Sequence, residues 1–166
     1  MISVAILTLS DKGSRGERED LGGPLIREMI RTIDADVSYY EILPDEKTLI
    51  KEKLIGYSKS VDLIITTGST GLSPRDVAPD ATLEVIEREI PGIAEAMRMA
   101  GLKKTNRAML SRAIAGVRGK TLIINLPGSP KAVKEGLEAI MDVIPHAVEK
   151  IKGNTEDCAV SAGAGA

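Results

Sequence analysis

Two carboxylates and two glycine-rich turns are the parts of this chain that could do chemistry. Thr66 to Asp80 reads TTGSTGLSPRDVAPD at the end of the apolar run DLII, and Asn125 to Lys131 reads NLPGSPK at the end of TLII. Glycines let a backbone approach a ligand closely, neighbouring hydroxyls add donors, and a helix starting at such a turn offers unpaired N–H groups to an anion. Thr67, Gly68, Ser69, Thr70, Gly71 and Arg75 in the first turn are therefore candidate phosphate ligands, as are Asn125, Pro127, Gly128, Ser129 and Lys131 in the second. Asp76 lies in the first turn, and Asp45 lies at another strand end, LPDE. Carboxylates without nearby Cys or His suit magnesium, which takes oxygen ligands, keeps waters and bridges to substrate phosphates. The competing readings are structural: each turn is a plain tight connection, and Asp45 is the N-cap of the helix that follows it.

Other chemistries find no support. No GK[ST] follows Gly68 or Gly128 at Walker A spacing, and no GxGxxG follows a strand. His146, the single histidine, falls in a terminal helix away from these turns. Ser10, Ser69, Ser111 and Ser129 have no local base and no GxSxG elbow, which argues against a covalent serine mechanism. Met29, Met97, Met99, Met109 and Met141 sit within or beside helical patterns and read as packing residues.

The elements that must position these residues alternate. Ile2 to Leu9, Val37 to Leu43, Val61 to Thr67 and Thr121 to Asn125 are short, apolar or β-branched, and read as strands. Helical spacing joins Leu21, Leu25, Ile26, Met29, Ile30 and Ile33, and again Leu49, Ile50, Leu54 and Tyr57. The spacing also predicts helices over Ala81 to Glu89, Pro91 to Lys104, Lys131 to Met141 and Val143 to Lys152. Ala113 to Val117 and Thr121 to Asn125 flank Arg118-Gly119-Lys120 as a hairpin would, so one strand is expected to run antiparallel. The expected class is a three-layer α/β/α fold with a mostly parallel sheet, whose ligands bind beyond the carboxyl ends of the strands.

Composition narrows the function classes. The chain has 166 residues, 43% of them hydrophobic and 28% charged, which fits one folded domain. It contains no Phe or Trp and only three Tyr, and its net charge is −2 with dispersed basic residues. Base stacking and phosphate-backbone tracking have little material, so no nucleic-acid partner is expected. The amino terminus carries neither a basic leader nor an apolar run long enough for a membrane span, and the lone Cys158 cannot pair internally. A cytoplasmic protein without a membrane partner is the expectation. Residues 154–166 lack apolar periodicity and read as a flexible tail.

Over about residues 3 to 152 the chain resembles the MogA/MoaB family of molybdenum cofactor biosynthesis, most closely its molybdopterin adenylyltransferases. The resemblance is carried in order by LSDKGSRGEREDLGG after the first strand, LPDE, TTGSTGLSPRDVAPDAT, LSR at 110–112 and NLPGSPKAVKE. The family pattern has TTGGTG where this chain has Ser69. The resemblance implies a single molybdopterin-binding domain over residues 1–153 and transfer of AMP from ATP to the molybdopterin phosphate, with pyrophosphate released and magnesium assisting. It implies that Asp45 and Asp76 are catalytic and hold the metal, that Ser111, Arg112, Ser129 and Lys131 face molybdopterin, and that Asp11 and Gly13 shape the site's edge. It also implies a homo-oligomer, trimer or hexamer, and leaves room for a molybdenum-insertion partner. The alternatives are a non-catalytic pterin-binding or assembly paralogue of the same fold, and a nucleotide pyrophosphatase in which water is the acceptor.

Overall fold

The computed structural model describes residues 1–153; the expected tail and Cys158 lie outside the described residues. The first part of the chain builds β1 (Ile2–Leu9), a single turn α1 (Asp11–Ser14), α2 (Gly22–Ile30), β2 (Ala35–Leu43), α3 (Lys47–Tyr57) and β3 (Leu63–Thr67). Then come α4 (Ala78–Val85), β4 (Arg88–Glu89), α5 (Pro91–Leu102), β5 (Ala115–Arg118), β6 (Thr121–Leu126), α6 (Pro130–Ile140) and α7 (Ile144–Ile151). Six strands form one sheet in the order β2-β1-β3-β6-β5-β4.

Strands β2, β1, β3 and β6 are parallel, and their register aligns Thr8 with Thr67 and Thr67 with Leu126. Their carboxyl ends therefore share one edge, which gathers the turns that follow them. Alternation along each strand splits the core into two layers. Val4 and Ile6 of β1, with Leu63, Ile65, Leu122 and Ile124, pack under α2, α5, α6 and α7. Ala5, Leu7 and Leu9, with Ile64 and Ile123, pack under α3 and α4 through Ile50, Leu54, Ala81 and Val85. Aliphatic side chains fill both layers, so the absence of Phe and Trp is compatible with a sandwiched sheet.

The antiparallel element expected at the hairpin is present: β5 pairs antiparallel with β6 through the turn at Gly119. The helix expected over Ala81 to Glu89 is corrected. It runs from Ala78 to Val85, its C-cap Ile86 is extended, and Arg88–Glu89 forms an antiparallel edge strand on β5. The reason is tertiary pairing: the N–H groups of Glu87 and Ile90 donate to the carbonyls of Val117 and Ala115, which outweighs the helical spacing of the segment.

A buried polar knot sits below the ligand edge. Asn125 Nδ2 donates to the hydroxyls of Thr66 and Thr82 at 3.0 and 2.9 Å, and the Ile114 N–H donates to Asn125 Oδ1 at 3.3 Å. These bonds tie β3, β6 and α4 together directly beneath the two glycine-rich turns.

Candidate active site at the carboxyl edge of the sheet

The first turn begins with two left-handed residues, Gly68 at φ 92° and Ser69 at φ 59°. A Cβ on Gly68 would lie 2.4 Å from the Leu9 carbonyl oxygen, so only glycine fits where β3 leaves the sheet beside β1. Ser69 bears a side chain in the same region, which costs about 1 kcal/mol or more. The second turn lies against the first: Thr67 Oγ1 donates to the Pro127 carbonyl at 2.7 Å, and a Cβ on Gly128 would sit 3.3 Å from Gly68 Cα. The two glycine-rich turns thus form one floor.

Asp76 is held to that floor by its neighbours. Its Oδ2 accepts the Ser73 N–H at 2.9 Å and stands where a Cβ on Gly71 would intrude at 2.8 Å. Arg112 ties the loop together, donating to the carbonyls of Gly71 and Asp76 at 2.9 and 2.6 Å and to the Asp80 carboxylate at 3.1 Å.

Asp45 does not cap α3. Glu46 occupies the N-cap position without a side-chain bond, whereas Asp45 Oδ2 accepts the Asp11 N–H at 3.0 Å. Asp11 Oδ1 in turn accepts the Asp45 N–H at 3.0 Å, and Arg75 forks onto Asp11 at 2.8 and 2.9 Å. The Arg75 guanidinium, with the Asp45 N–H second, holds the Asp11 carboxyl below its ordinary range. The other oxygen of Asp45, Oδ1, is buried and accepts no hydrogen bond among the described residues. Such an oxygen is costly unless something satisfies it, and a hard cation does so.

Two cavities open on this floor. The polar one, about 580 Å3, is lined by Asp45, Asp76, Thr67, Gly68, Ser69, Gly13 and Gly128, with Arg18, Glu19, Asp20 and Gly22 on the opposite wall. The other, about 340 Å3, is mainly apolar and is lined by Thr70, Gly71, Met97, Gly101, Ala108, Leu110, Ser111, Pro127 and Gly136. Ser129 lines both. A polar chamber and an apolar chamber therefore meet at the start of α6. Four carboxylates line the polar chamber, Asp45 and Asp76 on the floor with Glu19 and Asp20, and among the described residues no group of three or more His, Cys, Asp or Glu is placed to hold a metal ion unaided.

Not every expected residue reaches a cavity. Asn125 is fully buried in the polar knot, Arg112 is a loop clamp, and Asp11 with Arg75 stands behind Asp45. The Ser129 hydroxyl caps α6 by accepting the Ala132 N–H at 3.2 Å. Lys131 is exposed in the first turn of that helix. His146 lies on α7 and lines neither cavity.

The wall from Arg18 to Gly22 carried no individual role in the sequence reading. Arg18 is the one cation among the described residues lining the polar cavity, and it forms no ion pair or hydrogen bond with another described residue. Asp20 accepts from the hydroxyls of Thr8, at 2.6 Å, and Tyr40, and from the N–H groups of Gly22 and Gly23 at 2.9 and 3.2 Å. It saturates the amino end of α2, leaving that end no donor for a ligand anion. The usable signal was the DLGG sequence, an acidic residue before a glycine-started helix.

The sheet topology and this floor define an α/β protein with two glycine-rich turns beyond its parallel strands, the edge at which such folds bind their ligands. The chain belongs to the MoCF_biosynth family, described as "Probable molybdopterin binding domain", whose model matches residues 5–146. It is 45% identical over 157 residues to the molybdopterin adenylyltransferase of Helicobacter pylori strain 26695, covering 92% of this chain and 89% of that protein. With the molybdopterin adenylyltransferase of Escherichia coli K12 it shares 37% identity over 155 residues, 89% of this chain and 80% of the relative. Among solved structures, the molybdopterin biosynthesis enzyme MoaB of Thermus thermophilus superposes with a TM-score of 0.87 at 52% identity, covering 92% of this chain and 98% of that one. The tungsten cofactor synthesizing protein MoaB of Pyrococcus furiosus superposes with a TM-score of 0.84 at 34% identity over 92% and 98% of the two chains.

Proposed function

We propose that the chain is a molybdopterin adenylyltransferase that joins AMP from ATP to the terminal phosphate of molybdopterin and releases pyrophosphate. The observation that carries this reading is the meeting of the polar and apolar cavities at Ser129, with Asp45 and Asp76 facing the polar one. The names of the relatives agree with it. In this reading the triphosphate occupies the polar cavity, and the pterin occupies the apolar one with its phosphate directed toward Ser129.

A phosphate monoester is already anionic near neutral pH, so its oxygen attacks the α-phosphorus without a protein base. The new bond forms from that oxygen to phosphorus as the bond to the β-phosphate oxygen breaks, and pyrophosphate carries off the electron pair. Alignment and charge compensation are the protein's tasks. Gly68 and Gly128, packed together, form the floor under the phosphates, Arg18 pairs with the nucleotide phosphates, and Lys131 adds positive charge at the start of α6. Asp45 and Asp76 would hold magnesium, which when bound supplies charge neutralisation between the two anions; the unsatisfied Asp45 Oδ1 supports that assignment. Asp11 keeps Asp45 aimed, and Ser111 faces the pterin side.

We also propose one catalytic domain over residues 1–153, working in the cytoplasm where ATP and magnesium are supplied, as a trimer or hexamer. The exposed Met99, Leu102, Met109 and Leu110, on α5 and the short 3-10 turn beside it, support self-association. A molybdenum-insertion protein is the expected recipient of the product. An ATP-dependent AMP-transfer assay with molybdopterin tests the reading. Adenylylated molybdopterin with stoichiometric pyrophosphate is expected; pyrophosphate without acceptor would favour hydrolysis, and pterin binding without magnesium-dependent ATP binding would favour a non-catalytic paralogue.

A further inference from the structure

Ser69 occupies a left-handed backbone position, φ 59°, that glycine adopts freely and a residue with a Cβ resists. Its side chain is nearly buried, at 8% exposure, and does not stand open to the polar cavity as a free donor. The Val77 N–H donates to Ser69 Oγ at 2.9 Å, and Ser69 Oγ donates to the Arg75 carbonyl at 3.3 Å. The Ala78 N–H donates to the Ser69 carbonyl at 3.0 Å. Those partners are the residues on either side of Asp76 and the one after. One residue therefore grips both peptide units that bracket the carboxylate.

Each of these peptide units has one further hold, but among the described residues Ser69 is the group whose side chain binds both. The Ser73 N–H donates to the carboxylate, the Ser73 carbonyl accepts the Asp76 N–H at 2.8 Å, and Arg112 donates to the Asp76 carbonyl. Arg75, whose guanidinium leads to Asp11 and through it to Asp45, is anchored at its carbonyl by Ser69. The hydroxyl thus links the backbone carrying Asp76 to the residue that braces Asp45.

We propose that Ser69 is a positioning residue for the metal-binding carboxylate Asp76, acting through the flanking peptides, and is not itself a phosphate ligand. This rests on the reading of the polar cavity as a magnesium–ATP site. The strained backbone is retained because the hydroxyl fixes the loop. A glycine in its place would relax the backbone and remove the hydroxyl's two bonds to residues 75 and 77, leaving the Ser73, Arg112 and backbone bonds; an alanine would remove the same two bonds and keep the strain.

The test is calorimetric titration of ATP into wild-type, Ser69→Gly and Ser69→Ala proteins, with magnesium and again with excess chelator, beside AMP-transfer kinetics. Positioning predicts that both variants lose about tenfold in magnesium-dependent ATP affinity, as metal sites do when an outer-shell partner is removed. Their chelator-state ATP affinity and their KM for molybdopterin should stay at the wild-type values. In an Asp76→Asn background, Ser69→Gly should add no further loss of kcat, because the two act as one unit. Equal loss of ATP affinity with and without magnesium would overturn the proposal in favour of direct phosphate contact. Unchanged magnesium dependence in folded Ser69→Gly protein would overturn it as well. Wild-type protein that forms no adenylylated molybdopterin would reject the underlying functional reading instead, a result separate from either.

Discussion

Asp11 and Asp45 exchange hydrogen bonds: each carboxylate accepts the other's backbone N–H, both at 3.0 Å. This reciprocal pair joins the turn after β1 to the turn after β2 and leaves one Asp45 oxygen buried and without a hydrogen bond among the described residues. The expected consequence is graded. Asp45→Asn and Asp76→Asn should each lower kcat by about a hundredfold or more, as loss of a group stabilising transition-state charge does. Asp11→Ala should lower it by about tenfold through misdirected Asp45, with less effect on KM. Steady-state AMP transfer, with circular dichroism confirming the fold, measures all three; near-wild-type turnover in folded Asp45→Asn protein would sink the metal role.

Arg18 faces the polar cavity with no partner among the described residues, in a lining otherwise acidic or neutral. An unpaired guanidinium beside a polyanion site forms charge-assisted, often bidentate, bonds on ligand arrival. Arg18→Ala should therefore weaken binding of inorganic pyrophosphate and raise KM for ATP, each by about tenfold, the value of one charge-assisted bond. KM for molybdopterin should not move. Product-inhibition kinetics with pyrophosphate give the decisive number, and an unchanged inhibition constant would remove Arg18 from the phosphate site.

Much of this arrangement could be read from residue order. The parallel strands, their shared carboxyl edge and both glycine-rich turns follow from short β-branched runs ending at glycine, which local sequence specifies well. What stayed hidden depends on contacts between distant segments. Arg88–Glu89 pairs with β5 across about thirty residues, so its helical spacing misled. Asn125 shares the hydroxyl-rich company of a phosphate loop, but its position one residue before the end of β6 turns it into the core. For Asp45 the sequence left metal ligand and helix cap side by side, and the cap reading falls only when the Asp11 N–H is seen to take its carboxylate. Arg18 and Asp20 belong to the loop after β1 that carries the family motif, but their individual places in the cavity lining depend on how that loop folds over the sheet edge.

The placement of Asn125 makes a distinct prediction for a residue that resembles a ligand. Removing its amide leaves two buried threonine hydroxyls and the Ile114 N–H without their partner. Asn125→Ala should cost about 2 to 3 kcal/mol of unfolding free energy. Urea unfolding should show a lower midpoint at unchanged slope. In the surviving folded fraction KM for ATP should be that of the wild type. A large rise in KM with intact stability would return Asn125 to the ligand set.

Two of the three tyrosines are expected to resist ionisation. Burial, followed by the hydrogen bond to Asp20, pushes the Tyr40 phenol up to about 12, and burial with the Glu41 bond does the same for Tyr57. An unfolded tyrosine ionises near 10. Each folded value is raised, so each group's contribution to stability is complete below about pH 10 and is lost as pH rises through about 12. A jump to about pH 11 separates the states, because phenols with the folded values stay protonated there while unfolded ones do not. Phenolate absorbance should therefore rise in a slow phase that follows loss of circular dichroism, and Tyr40→Phe should shrink that phase. Ionisation of every tyrosine within the mixing time would contradict both environments. For Tyr40 the outcome bears on the site, because a phenolate there would face the Asp20 carboxylate that closes the amino end of α2 and forms one wall of the polar cavity.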